Sequence, residues 1–443
     1  MLLLLPHFRS KTIYRGVRFL LAALILFALT YALMLLFQNL RPVIALVSAA
    51  LFLISGMLPA EKALDYLDFN VLLMIAGTMG TVALVIESKM PYLLADILVE
   101  KVPNVKWAVV VLSLFAGIVS AFIDNVATVL MIAPIAMAMA KRQGISPVNM
   151  VIAIAVSSNL QGAATLVGDT TSILLGGYAH MSFNDFFVYR GKPGIFFAVE
   201  LGALIAAVIL VVLFRKETSP VQAGRRTQVT NFVPSILLLA TVLLLIIASL
   251  FPDRPAMTNG IICTALMLVG ALHNAFRTKS AAGFLAPLKE IDYETVLLLF
   301  GLFLVVGGIT EMGVVDAVAG LFTRIGGGNL FVIYTVITWA SVGISAFIDN
   351  IPYVATMLPV TQGIAAAMGV DPTVLYFGLL SGATLGGNLT PVGASANITG
   401  IGILRKSGYG VKNSDFMRIG VPFTLAAVIP AYIYLWIFYG AQN

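Results

Sequence analysis

Charge is what this sequence has least of. Only 10% of its 443 residues are Asp, Glu, Lys or Arg, against about 25% in a soluble domain, while 60% are hydrophobic. That balance excludes a water-soluble globular chain. Cysteine is nearly absent too. The single Cys263 lies inside "GIICTALMLVGALHNAF", which excludes an internal disulfide and reads as a small core residue. The three histidines are scattered without metal-ligand spacing, and no His-Glu-x-x-His run occurs. An intramembrane aspartyl protease needs Gly-x-Gly-Asp, and the nearest run, "LVGD", lacks the first Gly. No enzyme and no bound cofactor are expected.

What the chain has is apolar runs long enough to cross about 30 Å of hydrocarbon. They begin near Phe19 and recur to the C-terminus, as in "FLLAALILFALTYALMLLF" and "PGIFFAVELGALIAAVILVVLF". About ten such spans are expected, in an all-α polytopic membrane protein. The opening "MLLLLPHFRSK" puts its Leu run before its charges, the reverse of a secretory signal, so no cleavage is expected. The net charge of +6 comes from Lys and Arg in short loops, which suits a lipid surface and not nucleic acid. The bilayer and small ions are the expected partners, and a multi-pass place in the cell membrane is the expected location.

The only long polar segment is "RKETSPVQAGRRTQVTN", residues 215–231, which reads as a linker between halves. The expected organisation is a basic segment over 1–18, a first membrane repeat over 19–214, the linker, and a second repeat over 232–443. "SAFIDNVATVLMIAP" and "SAFIDNIPYVATMLP" agree at 8 of 15 positions at an offset of 225, which also aligns "TLVGDTTSI" with "TPVGASANI". An offset of 224 aligns "LDFNVLLMIAG" with "IDYETVLLLFG" and places Glu87 on Glu311. Two registers held over some 100 residues indicate duplication. For Glu87 and Glu311, near span ends, a structural or snorkelling role is favoured over ion binding.

From Trp107 to Ala140 the only charge is Asp124. As one helix this stretch would reach roughly 50 Å, too long for one span, and it is short for two. A re-entrant hairpin with the Asp-Asn pair at its tip fits. The second copy, 330–370, has Asp349 as its only charge. In "NLQGAATLVGDTTSILLGG", Gly162 and Gly168 precede the capping types Asp169, Thr170, Thr171 and Ser172; the second copy has Gly387, Pro391 and Gly393. Both read as helices broken at membrane depth, which is tolerated only where backbone is buried in protein or lines a cavity. A broken helix at matching places in two halves points to the central site of a transporter.

On these four motifs the chain resembles the ion transporter superfamily, in its arsenite permease and NhaD-type sodium/proton antiporter branch, which shares a citrate-transporter-like domain with the dicarboxylate/sodium symporters. The resemblance implies two inverted repeats whose hairpin tips and helix breaks meet near the midplane. It places Asn125 and Asn350 on the Asn of the symporters' Ser-Asn-Thr tips, and Thr128 on the later Thr of the first tip. Asp124 and Asp349 stand where the symporters have Ser, which brings the chain closer to the NhaD-type antiporters. The arsenite permeases' Asn-Asp order is missing, and Thr170, Thr171 and Ser172 replace a frequent pair of prolines. Relatives are often dimers, so a homodimer is implied as well.

The expected ion- and substrate-binding residues are therefore Asp124, Asn125, Thr128, Thr165, Asp169, Thr171 and Ser172 in the first half. In the second they are Asp349, Asn350, Asn388, Thr390, Ser395 and Asn397. Carboxylate and amide oxygens suit a hard cation, so Asp124, Asn125, Asp349 and Asn350 are the sodium candidates. An Asp in low dielectric can instead take a proton, and the blander alternative is that each Asp only caps its outgoing helix. Asp169 has no acidic counterpart, since Ala394 matches it. Four helix N-termini facing the site would favour an anion, whereas three carboxylates favour a cation or proton. The expected function is alternating-access sodium/proton antiport, with cation-coupled citrate or dicarboxylate transport, or arsenite export, as the alternative. A passive channel is less natural with two broken helices.

Overall fold

The duplication shows first in how helices start and stop. The structure is a computed structural model describing residues 5–221, 226–251 and 253–441, with side chains from residue 18 onward except that of Thr323. Asp68 caps Phe69–Ser88 by accepting from the Val71 N–H at 3.0 Å, and Asp292 caps Tyr293–Glu311 by accepting from Thr295 at 3.1 Å. Asn104 and Asn329 cap the incoming hairpin arms, Val105–Ser120 and Leu330–Ser345. Gly144 and Gly369 end the outgoing arms, Asn125–Gln143 and Asn350–Met368, with φ of 66° and 67°, a left-handed cap that costs glycine least. These pairs sit at the offsets of 224 and 225 read from the sequence.

Eight described helices are long and apolar enough to cross a membrane. Two of them are the outgoing hairpin arms. The remaining six, the shorter apolar helices Arg41–Ile54 and Val233–Ala248, and the two broken helices counted once each are ten apolar elements among the described residues, in line with the expected number of spans. The broken helices are Val148–Gln161 with Thr170–Tyr178, and Thr373–Gly386 with Ser395–Lys406. The expected basic segment falls on the start of the helix Leu5–Leu36, residues 1–4 lie outside the described residues, and so do linker residues 222–225.

The halves interlock. Arg41–Ile54 of the first packs on Tyr293–Glu311 of the second, while Thr258–Thr278 of the second packs on Phe69–Ser88 of the first. Glycine makes both crossings close: a Cβ on Gly301 would lie 2.7 Å from the Ala45 backbone, and one on Gly77 would strike the backbone of Cys263.

Three placements establish the inversion. Glu87, at the end of Phe69–Ser88, and Asp292, at the start of the equivalent helix, line one cavity mouth, so these two helices run in opposite directions. Ser395–Lys406 packs along Val148–Gln161, and Thr170–Tyr178 along Thr373–Gly386, which requires the two broken helices to be antiparallel. The base of the first hairpin is tied to the linker, with Val105 N–H donating to Ser219 at 3.0 Å and Gln143 Nε2 to Pro220 at 3.2 Å. The helix Met90–Glu100, which follows Phe69–Ser88, meets the same linker: Arg226 bonds Glu100 and holds its carboxyl below the usual range. The base of the second hairpin lies at the other face. There Gln362 accepts from Tyr178, and Gly177 lies against the Asp68 cap.

Candidate functional site

In each half a threonine hydroxyl and a glycine at the break hold the hairpin tip against it. The Thr165 hydroxyl donates to the Ala121 carbonyl, and Thr390 donates to Ala346. A Cβ on Gly168 would sit 2.9 Å from the carbonyls of Ala121 and Ser120; on Gly393 it would sit 2.9 and 2.6 Å from Ala346 and Ser345. No side chain fits where backbone must approach backbone so closely. Inside each break, Ser172 Oγ donates to the Gly162 carbonyl at 3.1 Å, and Asn397 Nδ2 to that of Gly387 at 3.0 Å.

The two breaks meet through amides. Asn125 Nδ2 donates to Asn159 Oδ1 at 3.0 Å, and Asn159 Nδ2 donates to the Thr384 carbonyl at 2.7 Å and to Asn388 Oδ1 at 3.1 Å. Asn388 in turn donates to the Val156 carbonyl at 2.8 Å. Asn159 and Thr384 are 225 positions apart, so the pseudo-symmetry partners touch each other where the halves meet. Asn159 was missed by sequence reasoning. Its signal was available as an Asn two residues before the glutamine that precedes Gly162, in the polar run Ser157, Ser158, Asn159 and Gln161 that ends a mostly apolar helix. Asp169 accepts from Thr171 at 3.0 Å and from Asn350 Nδ2 at 3.4 Å, so a carboxylate from the first half meets the tip of the second.

A cavity of about 650 Å³ runs from these groups to the linker face. Asp124, Asn125, Asp169, Thr170, Asn350 and Ser395 line its depth, and the exposed Glu87, Lys289, Glu290 and Asp292 line its mouth. Among the described residues, Lys289 is the one basic residue in a lining that holds five acidic ones. Of the residues expected to bind, Thr128, Thr165, Thr171, Ser172, Asn388, Thr390 and Asn397 are buried behind this wall. The Thr128 hydroxyl and Asn397 Oδ1 have no hydrogen-bond partner among the described residues.

The two tip aspartates differ. Both cap their outgoing arms: Asp124 Oδ1 accepts from Val126 and Ala127 at 3.0 and 3.1 Å, and Asp349 Oδ1 accepts from Ile351 at 3.2 Å. Asp349 also pairs with Arg41, Nη1 to Oδ2 at 3.0 Å, with side chains only 16% and 13% exposed. Asp124 has no basic partner within ion-pair distance among the described residues. Sequence reasoning missed Arg41. An arginine at the first position of a helix faces the positive end of the dipole, and that unfavourable placement was the signal. Glu311 pairs with Lys62 at 2.8 Å and accepts from Tyr66, at the face opposite the cavity mouth.

Duplicated hairpins and broken helices, inverted about a shared cavity, define a multi-pass membrane transporter. The profile of the citrate transporter family matches residues 24–382, and the chain belongs to that family. An uncharacterized transporter of Mycobacterium bovis is 34% identical over 74% of this chain and 76% of its own length. A 46 kDa membrane protein of Mycobacterium leprae is 32% identical over 72% and 74%. The P protein of Mus musculus is 26% identical over 88% of this chain and 56% of its own. Among solved structures, the Alcanivorax borkumensis YdaH transporter, described as having an unusual topology, aligns with a TM-score of 0.57 at 14% identity, over 95% of this chain and 98% of that one. That likeness is one of fold.

Proposed function

We propose that the chain exchanges sodium for protons by alternating access, with Asp124 and Asp169 as the carboxylates that take either ion in turn. The observation that carries this reading is the charge of the cavity. Among the described residues, its depth holds two carboxylates beside the amides of Asn125 and Asn350 and no cationic side chain, and its mouth holds three more carboxylates and one lysine. Oxygen-rich, net-negative surroundings of this kind suit a hard cation or a proton and repel an anion. Asn125, Asn350, Thr170 and Ser395 would supply neutral oxygens. Asp349 stands one layer back, reached through Ser395, whose hydroxyl donates to it at 3.3 Å.

Adding sodium outside proteoliposomes loaded with an acidic interior is expected to dissipate the pH gradient without any added anion. The flux is expected to fall as pH drops, because protons compete for the same oxygens. A second reading, cation-coupled citrate uptake, draws on the family's description and on helices that start at Asn125, Thr170, Asn350 and Ser395 around the cavity. Helix N-termini attract anions once the carboxylates are neutralised. Gradient dissipation that requires citrate, with none from sodium alone, would replace the first reading with this one.

A further inference from the structure

We infer that Arg41 is a built-in counter-cation that occupies, at the second hairpin tip, the electrostatic place of a transported ion, so that the two identical SAFIDN tips do not carry the same number of ions. The inference deepens the antiport reading and rests on it.

The guanidinium is held from two sides. Its Nε donates to the Met34 carbonyl at 3.3 Å while Nη1 pairs with Asp349 Oδ2 at 3.0 Å, and Ser395 donates to that same oxygen at 3.3 Å. Asp349 Oδ1 is taken by the Ile351 N–H. Both carboxylate oxygens are therefore engaged before any ion arrives. At the first tip, Asp124 Oδ1 accepts the two capping N–H groups, and no arginine or lysine pairs with the carboxylate among the described residues.

The asymmetry is written into the swapped helices. Ala45 lies against Gly301 as Cys263 lies against Gly77, so the residue four before Cys263, Asn259, is the counterpart of Arg41. Asn259 is buried, and its Oδ1 has no partner among the described residues. One half has a fixed positive charge where the other has a neutral amide. A full charge beside a half-buried carboxylate outweighs an amide by several-fold in interaction energy. An ion competing for Asp349 would have to displace a bonded arginine, whereas an ion at Asp124 displaces nothing charged.

The test compares the full-length wild type, R41Q, D349N and R41Q/D349N in proteoliposomes, reading sodium affinity and the membrane potential at which sodium-driven proton movement stops. R41Q is expected to free Asp349, tighten sodium by about tenfold and shift that potential by the equivalent of about one additional charge per cycle. D349N leaves Arg41 unpaired beside the cavity and is expected to weaken sodium by about tenfold or more, while the double variant recovers most of that loss. These opposite signs are what a merely structural strut would not produce. Should R41Q and D349N impair sodium alike, with the double variant no better than the worse of them, Arg41 is a strut and the inference falls. Should the wild type respond to citrate and not to sodium, the antiport reading fails, and Arg41 is judged on citrate with the signs reversed. R41Q then weakens citrate by about tenfold and R41Q/D349N restores it, or the inference falls with that reading.

Discussion

The two hairpin tips share six residues in a row, yet one ends in a carboxylate facing a cavity and the other in a carboxylate bonded to an arginine. Up to the tip the halves are nearly superposable in their chemistry: Thr165 and Thr390 bond equivalent carbonyls, and Gly168 and Gly393 crowd against equivalent backbone. The difference comes from outside the motif, from a helix that crosses over from the other end of the fold. Identical local sequence therefore does not give identical charge when the neighbours are not duplicated with it. A transporter gains from this kind of asymmetry, because an inverted pair must alternate around one site, not present two independent ones.

The comparison is broken most severely at Asp124. Asp124→Asn keeps the shape of the cap and removes the free charge, so sodium-dependent proton flux is expected to fall by about a hundredfold or more while membrane content stays near wild type. Flux within a few-fold of wild type would mean that Asp124 only caps its helix.

The opposed orientation of the hairpins can be sharpened by labelling. With Cys263 replaced by Ser, a single cysteine at Thr218 in the linker and one at Gln362 beside the second hairpin's base are expected to react with an impermeant maleimide from opposite faces of oriented vesicles. A cysteine at Glu290, at the cavity mouth, is expected to follow Thr218. Labelling of Thr218 and Gln362 from one face would contradict the inverted arrangement.

The smallest effect tests where the halves are alike. Gly168→Ala and Gly393→Ala each push a methyl against backbone carbonyls that no rotamer change can relieve, so each is expected to cost about 1–3 kcal/mol. Gly393 meets the closer atoms, at 2.5 and 2.6 Å, against 2.6 and 2.9 Å for Gly168, and is expected to melt lower in detergent. Equal melting temperatures to wild type would show that the tips are not pressed against the breaks.

Much of this architecture was legible in the chain. Apolar runs set the crossings, because a backbone in hydrocarbon has little choice but helix. The single charge in each long run marked the tips, since a carboxylate there is tolerated only at a purpose-built site. The glycine-rich breaks were legible for the same reason. Less visible was the role of the polar residues inside the breaks. Thr165, Ser172, Thr390 and Asn397 read as candidate ligands, and the structure places them behind the cavity wall, bonded to backbone. A broken helix frees carbonyls that need donors, and sequence does not tell a donor to backbone from a donor to an ion.

By itself the sequence determined the membrane setting, the duplication, the tips and the breaks, all of which follow from local patterns of hydrophobicity and turn chemistry repeated at a constant offset. Only the tertiary structure decided which carboxylates face the cavity, that Asn159 joins the halves, and that Arg41, 308 positions from Asp349, reaches its oxygen. The physical reason is range. Helix formation and capping are settled within a few residues, whereas the charge around a buried carboxylate is set by whichever side chains packing brings within about 4 Å, and that is a property of the assembled fold.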